Sequence, residues 1–204
     1  MNESTTAGIL IRTAREIFAQ QGFAGSSVRE ITTAASANLG AITYHFGSKQ
    51  ALYDAVLEDT VTPFRQRLAA AAATSGAALD RIERFLREAL DHMAEHPDLP
   101  RLLQQQLATG PPLPPTIEST MRTNIGTLAG LIRDGQRDGT IRDGDPRLMA
   151  FSVGGQPIML ALLRDALSQS VGLDQDDPTT RAHLAESVIR FVRAGLVLQG
   201  GATA

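Results

Sequence analysis

Residues 27–57 read SVREITTAASANLGAITYHFGSKQALYDAVL, and the order of polar, apolar and chain-breaking residues in this stretch decides the architecture. Ser27-Val28-Arg29-Glu30 has the form of a capping box, in which a serine hydroxyl and a glutamate carboxylate satisfy the amides of a helix start reciprocally. Val28, Ile31 and Ala35 follow on one apolar face. After Ser36 and Ala37, Asn38 is placed to cap a third helix whose inward face is Leu39, Ile42 and Phe46. Gly47 and Ser48 stop that helix, and the pattern restarts at Lys49. Two helices of about eight residues joined by a turn of about three have the dimensions of a helix-turn-helix, whose second helix enters the major groove of DNA. Projected at about 100° per residue, the third helix turns Gly40, Ala41 and Tyr44 outward, with Thr43 and His45 on the flanks. Small residues there permit close approach to base edges, and the Ala41 methyl is positioned to meet a thymine methyl. Thr43, Tyr44 and His45 offer hydrogen bonds to phosphate or base, and Lys49 adds charge beside helix-start amides that already favour anions.

The same reading extends in both directions. Upstream, ILIRTAREIFAQQGFAGS (residues 9–26) carries Leu10, Ala14, Ile17 and Phe18 on one helical face before Gly22 ends it. Downstream, Leu52, Val56 and an alanine-rich stretch at 69–73 predict a long helix that Pro63 should kink or break. Further helices are expected at about 77–96, 99–109, 115–137, 146–169 and 180–199, punctuated by Pro97, the PPLPP run at 111–115, Gly139, Gly144 and Gly172. No stretch alternates with a strand period. The expected fold is all-α: an N-terminal three-helix helix-turn-helix domain over residues 1–48 and a larger helical domain over 49–204, linked by the helix starting at 49.

Composition narrows the class. The 204 residues are 43% hydrophobic and 20% charged, which is ordinary for a folded soluble protein and unlike a disordered one. Absence of cysteine excludes disulfides, thiolate metal sites and cysteine nucleophiles. A net charge of −3 argues, taken alone, against a nucleic-acid partner. Divided along the chain, the sign splits: residues 1–50 hold Arg12, Arg15, Arg29 and Lys49 against Glu3, Glu16 and Glu30, and the deficit of basic residues lies entirely beyond them. With so modest a positive charge, amide and hydroxyl contacts should matter, and affinity for DNA should still fall with salt. The longest apolar run, 148–163, contains Gln156 and Pro157 and falls short of the roughly 20 residues of a membrane span. The first eleven residues carry Glu3 and no basic residue, unlike a secretory signal. A cytoplasmic protein without membrane attachment is expected.

The segment at 27–57, with 9–26 before it, resembles the DNA-binding domain of the TetR family of bacterial transcriptional regulators, and the run Tyr44-His45-Phe46-Gly47-Ser48-Lys49 carries much of that likeness. Ser36 stands where the family usually has Gly, Asn38 where Ser or Thr is common, and Thr43 where Tyr is common. The resemblance implies a homodimer on a palindromic double-stranded DNA operator, with a C-terminal domain that binds a small-molecule effector and lowers DNA affinity. It places Ser27 and Lys49 on phosphates and Asn38, Gly40, Ala41, Thr43, Tyr44 and His45 at or near the groove. Ser27 can cap its helix and touch a phosphate at once.

The last helix supports a dimer independently, because Leu184, Val188, Phe191, Gly195 and Leu198 make one apolar face and Ile189, Val192 and Leu196 a second. A band so wide needs two partners, the chain's own domain and another subunit. Paired with the helix from 146, this gives an expected four-helix interface containing Phe151, Ile158, Leu162, Val188, Phe191, Val192 and Gly195. Phe64, Phe85, Met93, Met121, Phe151 and Met159 are candidates to line an effector pocket, although helical spacing more often signals core. Pro157, after Gly154 and Gly155, can bend its helix around a ligand or around a neighbour.

His92-Met93-Ala94-Glu95-His96 has the H-x-x-E-H form of some zinc proteases, but Pro97 follows at once and no third ligand presents itself, so a helix end is the better reading. Asp174, Asp176 and Asp177 lack the Gly and terminal Glu of a calcium loop. No metal, cofactor or catalytic constellation is assigned. The alternative from another class is an all-helical enzyme or small-molecule carrier that retains the helix-turn-helix as a packing module.

Overall fold

A computed structural model describes residues 5–198. Within them lie ten helices: α1 (Thr6–Gly25), α2 (Val28–Ala34), α3 (Ala41–Phe46), α4 (Lys49–Ala73), α5 (Ala78–Glu95), α6 (Asp98–Thr109), α7 (Pro115–Arg137), α8 (Pro146–Leu162), α9 (Arg164–Val171) and α10 (Pro178–Leu196). The fold is all-α, and the one β-type pairing among the described residues is an isolated bridge between Ile141 and Val197. No helix among them is long and apolar enough to cross a membrane. The chain divides into two compact units, one of residues 1–63 with 97–120 and one of 64–96 with 121–204.

In the first unit Leu10, Ile11, Ala14 and Phe18 of α1 are buried, along with Ile31 of α2, Ile42 of α3 and Leu52, Val56 and Leu57 of α4. α1 is kinked at Gly22, whose φ of 73° and ψ of 174° are outside the helical region, and a last short turn runs on to Gly25. Tyr53 stands edge-on to Phe18 at 5.0 Å between ring centroids and lies 5.1 Å from Phe23, and its hydroxyl hydrogen-bonds the Gln106 side-chain oxygen at 3.0 Å. α6 packs along α1. A β-carbon at Gly22 would come within 2.8 Å of the Gln105 side-chain oxygen, so glycine answers both the backbone angle and the close approach. Arg15 pairs with Asp59 at 2.5 Å, and Thr116 donates to Glu58 at 3.0 Å.

In the second unit α5 packs on α8 and α10, burying Ile82, Phe85, Leu86 and Ala89 with Met149, Ala150, Val153, Ile189, Val192 and Leu196. The turn after α7 is fixed by Thr140 and Ile141, whose amides both donate to the Gly135 carbonyl at 2.9 Å. A side chain at 135 would place its β-carbon 2.5 Å from the buried Ile141 side chain. Arg142 ties this turn to the end of α10 through its amide to Leu196 at 2.9 Å and its Nε to the Gly195 carbonyl at 2.6 Å.

Two expected helices have different ends in the structure. Pro63 lies inside α4, which continues from Lys49 to Ala73, because one lost backbone hydrogen bond is tolerated within a long helix. The expected helix 146–169 is two helices, but Pro157 lies within the first, and the chain leaves helical geometry at Leu163 (φ −95°, ψ 9°).

Candidate nucleic-acid interface

The capping box of α2 forms as its residue types dictate. Ser27 Oγ accepts the Glu30 amide at 3.1 Å, the Ser27 amide donates to Glu30 Oε2 at 3.4 Å, and Glu30 Oε1 accepts from Gln21 of α1 at 2.7 Å. At the other end, the Ala37 amide reaches the Thr32 carbonyl at 2.8 Å, and Ser36 adopts a left-handed φ of 52°. This is a position where glycine carries no steric cost and a serine does.

α3 starts later than the apolar spacing predicts. Gly40 is its N-cap, with no side-chain cap bond, and the Ala41 amide bonds the Asn38 carbonyl at 3.0 Å. The expected side-chain cap by Asn38 is therefore absent, and Asn38 is solvent-exposed. The shifted start also rotates the inner face. Ala41, expected outward, is 6% exposed beside the fully buried Ile42, whereas Leu39, expected inward, is 62% exposed. Phe46 is half-buried. Gly40, Thr43, Tyr44 and His45 remain exposed as the projection predicts, with Tyr44 at 84% and its ring edge-on to His45 at 4.8 Å. A concavity of about 540 Å³ runs beside them, walled by Thr6 and Ile9 of α1, the turn 35–38, and Ala41, Tyr44 and His45.

Lys49 turns inward. Its ammonium donates to the carbonyls of Phe23 and Ser26, the latter at 2.6 Å, and lies 4.4 Å from the centroid of the Phe23 ring. Burial holds its pKa below the usual lysine value, against a smaller opposing pull from Glu30. Ser48 caps α4 by accepting the Ala51 amide at 3.1 Å. With Lys49 so engaged and Arg15 paired, the exposed cations of the first three helices are Arg12 and Arg29. Sequence reasoning missed Arg29 and Leu39 as surface features of this region. Leu39 fits the inward spacing of Ile42 and Phe46, so no sequence signal set it apart until the helix start at Ala41 was known.

A family profile described as "Bacterial regulatory proteins, tetR family" matches residues 10–56, which contain this whole assembly, and one described as "Tetracyclin repressor-like, C-terminal domain" matches residues 79–192, more than half of the chain. The chain belongs to the TetR family. It is 31% identical over 145 residues, 71% of each chain, to the HTH-type transcriptional repressor SCO4008 of Streptomyces coelicolor. Identity is also 31% over 143 residues to the HTH-type transcriptional repressor NicS of Pseudomonas putida, a match covering 66% of this chain and 65% of NicS. The solved structure of the transcriptional regulator FadR from Bacillus subtilis in complex with stearoyl-CoA superposes with a TM-score of 0.75 at 20% identity, over 92% of this chain and 97% of that one. TetR-family membership makes the helix-turn-helix a DNA-binding element of a transcriptional regulator.

The C-terminal part of this TetR-family chain sorts its candidate residues by burial. Of the six pocket candidates, Phe64, Phe85 and Met93 are buried, while Met121, Phe151 and Met159 are exposed. Among the expected interface residues, Phe151 and Phe191 are 66% and 70% exposed, Gly195 is exposed, and Ile158, Leu162 and Val188 are half-buried. Val192 instead sits in its own unit's core at 6%, one helical step from Phe191 and on the opposite flank of α10. An open groove of about 380 Å³ between α8 and α10 is walled by Leu148, Ser152, Gln156, Phe191 and Gly195.

His92 is buried against Phe64, with ring centroids 5.2 Å apart, and lies 4.4 Å from His96, while an Arg67 nitrogen approaches its Nδ1 at 3.4 Å. Burial first, then the neighbouring His96 and Arg67, push its pKa down to about 4. Arg67 bridges Glu88 and Glu95 at 2.7 and 2.9 Å. Glu95 thus serves an ion pair in this arrangement, and no group of three or more His, Cys, Asp or Glu side chains among the described residues is placed to hold a metal.

Proposed function

We propose that this chain is a ligand-responsive repressor that binds a palindromic DNA operator as a homodimer and leaves it when a small-molecule effector binds. Residues 1–48 act as the reader, and 49–204 as the regulatory and dimerising body. The observation that carries the reading is the surface at 38–45, where Asn38, Leu39, Gly40, Thr43, Tyr44 and His45 are exposed on a turn and helix anchored by the buried Ala41 and Ile42. That SCO4008 and NicS are transcriptional repressors favours repression, and the stearoyl-CoA complex of FadR favours a small-molecule effector. The exposed Phe151 and Phe191 beside the α8–α10 groove supply an apolar face for a second copy. Nothing in this scheme calls for catalysis, a cofactor or a membrane, and its place of action is the cytoplasm.

Repression and release follow from geometry. Two reader helices in a dimer must match half-sites about 34 Å apart, one turn of DNA. An effector that favours a dimer with another spacing lowers affinity, and a tenfold loss needs only about 1.4 kcal/mol of coupling. Selection from random duplexes tests the reading: a palindromic consensus is expected, with Tyr44→Ala weakening binding at least tenfold while the dimer persists. Absence of any enriched sequence overturns it.

A further inference from the structure

Residues 5–63 expose two large apolar side chains strongly, Leu39 and Tyr44, and both belong to the reader segment. Tyrosine carries a hydroxyl that suits an exposed position. Leucine has no polar atom, and it occupies a turn whose neighbours Asn38 and Gly40 are also exposed. The backbone fixes it there. Ala41 bonds back to the Asn38 carbonyl at 3.0 Å and Tyr44 to the Gly40 carbonyl at 2.9 Å, so Leu39 is the corner of the turn leading into α3. Ala41 and Ile42 already fill the inward positions, which leaves Leu39 no route into the core.

α3 and the turn before it hold no arginine or lysine, so the bidentate contact to guanine is not available from this segment. Within the major groove the apolar feature a base presents is the C5 methyl of thymine. We propose that Leu39 is a specificity-determining residue, packing its side chain against the methyl of one thymine in each operator half-site. The proposal rests on the DNA-reading function above and names the chemistry by which the operator is chosen. It also moves the thymine contact from Ala41, whose methyl is buried, to the residue two positions earlier.

Deoxyuridine tests it, because it pairs as thymine does and lacks only the methyl. Each thymine of the selected operator is replaced in turn in both half-sites, and affinity is measured for the wild-type chain, Leu39→Ala and Leu39→Met. One position should weaken wild-type binding about fourfold per half-site and about fifteenfold for both, the value of burying one methyl-sized group. Leu39→Ala should bind the thymine and deoxyuridine operators equally at that position, and Leu39→Met should keep most of the difference. Because Leu39 is exposed, circular dichroism should show all three proteins equally folded. If no deoxyuridine position affects the wild type, or if Leu39→Ala keeps the full discrimination, the assignment of Leu39 is overturned while the regulator stands. If the chain enriches no duplex at all, both fall together.

Discussion

Replacing Lys49 with methionine separates two roles that a lysine at the start of α4 can play. The structure commits its ammonium to the Phe23 and Ser26 carbonyls and to the face of the Phe23 ring. A hydrogen bond from a charged donor contributes about 1.5–3 kcal/mol when shielded. Lys49 is half-buried, so water can reach the two carbonyls in its absence, which places each bond near the low end. The cation–π contact adds about 0.5 kcal/mol at a partly exposed site. Methionine keeps the apolar stem, and the expected loss is therefore about 3–3.5 kcal/mol. With a urea slope of about 2 kcal/mol per molar, the middle of the usual range, the unfolding midpoint should fall by about 1.5–2 M. The comparison is made at matched protein concentration, because a dimer's midpoint depends on it. Operator affinity should drop mainly because less of the reader is correctly assembled, with little change in its salt dependence. A phosphate contact has the opposite signature: an unchanged midpoint, and a slope of log affinity against log salt smaller by about 1.8, one phosphate being lost in each half-site of the proposed dimer. That second pattern would refute the inward role of Lys49.

Phe191→Asp should convert the proposed dimer to a monomer at micromolar concentration in sedimentation velocity, because a carboxylate at a desolvated contact is unpaired; a persisting dimer would remove the α8–α10 face from the proposed interface. His92 is neutral when folded, with a pKa lowered from 6.5 to about 4, so the unfolded chain binds its proton first on acidification. Relative to His92→Gln, the wild type should lose about 3 kcal/mol as pH falls from 6.5 to 4 and no more below that, read from urea midpoints across pH; parallel curves would contradict the assignment. Ser36→Gly relieves the left-handed φ of 52° and should raise stability by roughly 0.5–1 kcal/mol in urea denaturation, the steric relief outweighing glycine's added unfolded-state freedom.

The parts of this molecule that sequence reading captures are those decided within a few residues. The Ser27–Glu30 capping box spans one turn, and the angle of Gly22 is a property of the residue itself. The phase of α3 went astray because the apolar spacing of Leu39, Ile42 and Phe46 fits a helix begun at Asn38, whereas the turn extends to Gly40. A two-residue delay is invisible to periodicity in a helix of six residues. The partners of Lys49 were out of reach for a different reason, since they lie 23 and 26 residues away and are backbone carbonyls, which no side-chain pattern announces. On α10, two apolar faces were legible, but their assignment to one subunit or two depends on what α5 covers, and Val192 fell to the inner side. The end of α8 at Leu163 carries neither proline nor glycine, so no local residue marks it.

The packing of α6 against α1, with Gln105 at Gly22 and Gln106 on Tyr53, has a consequence for how the protein is made. The first 63 residues leave the ribosome before their partner segment 97–120 has been translated. At roughly 5–20 residues per second this interval lasts on the order of several seconds. Throughout it the reading head is a nascent segment with the α1 flank that α6 will cover still open. Translation speed between codons 63 and 120 therefore bears on the yield of active regulator, and synonymous slow codons placed there should cost solubility without changing a single residue.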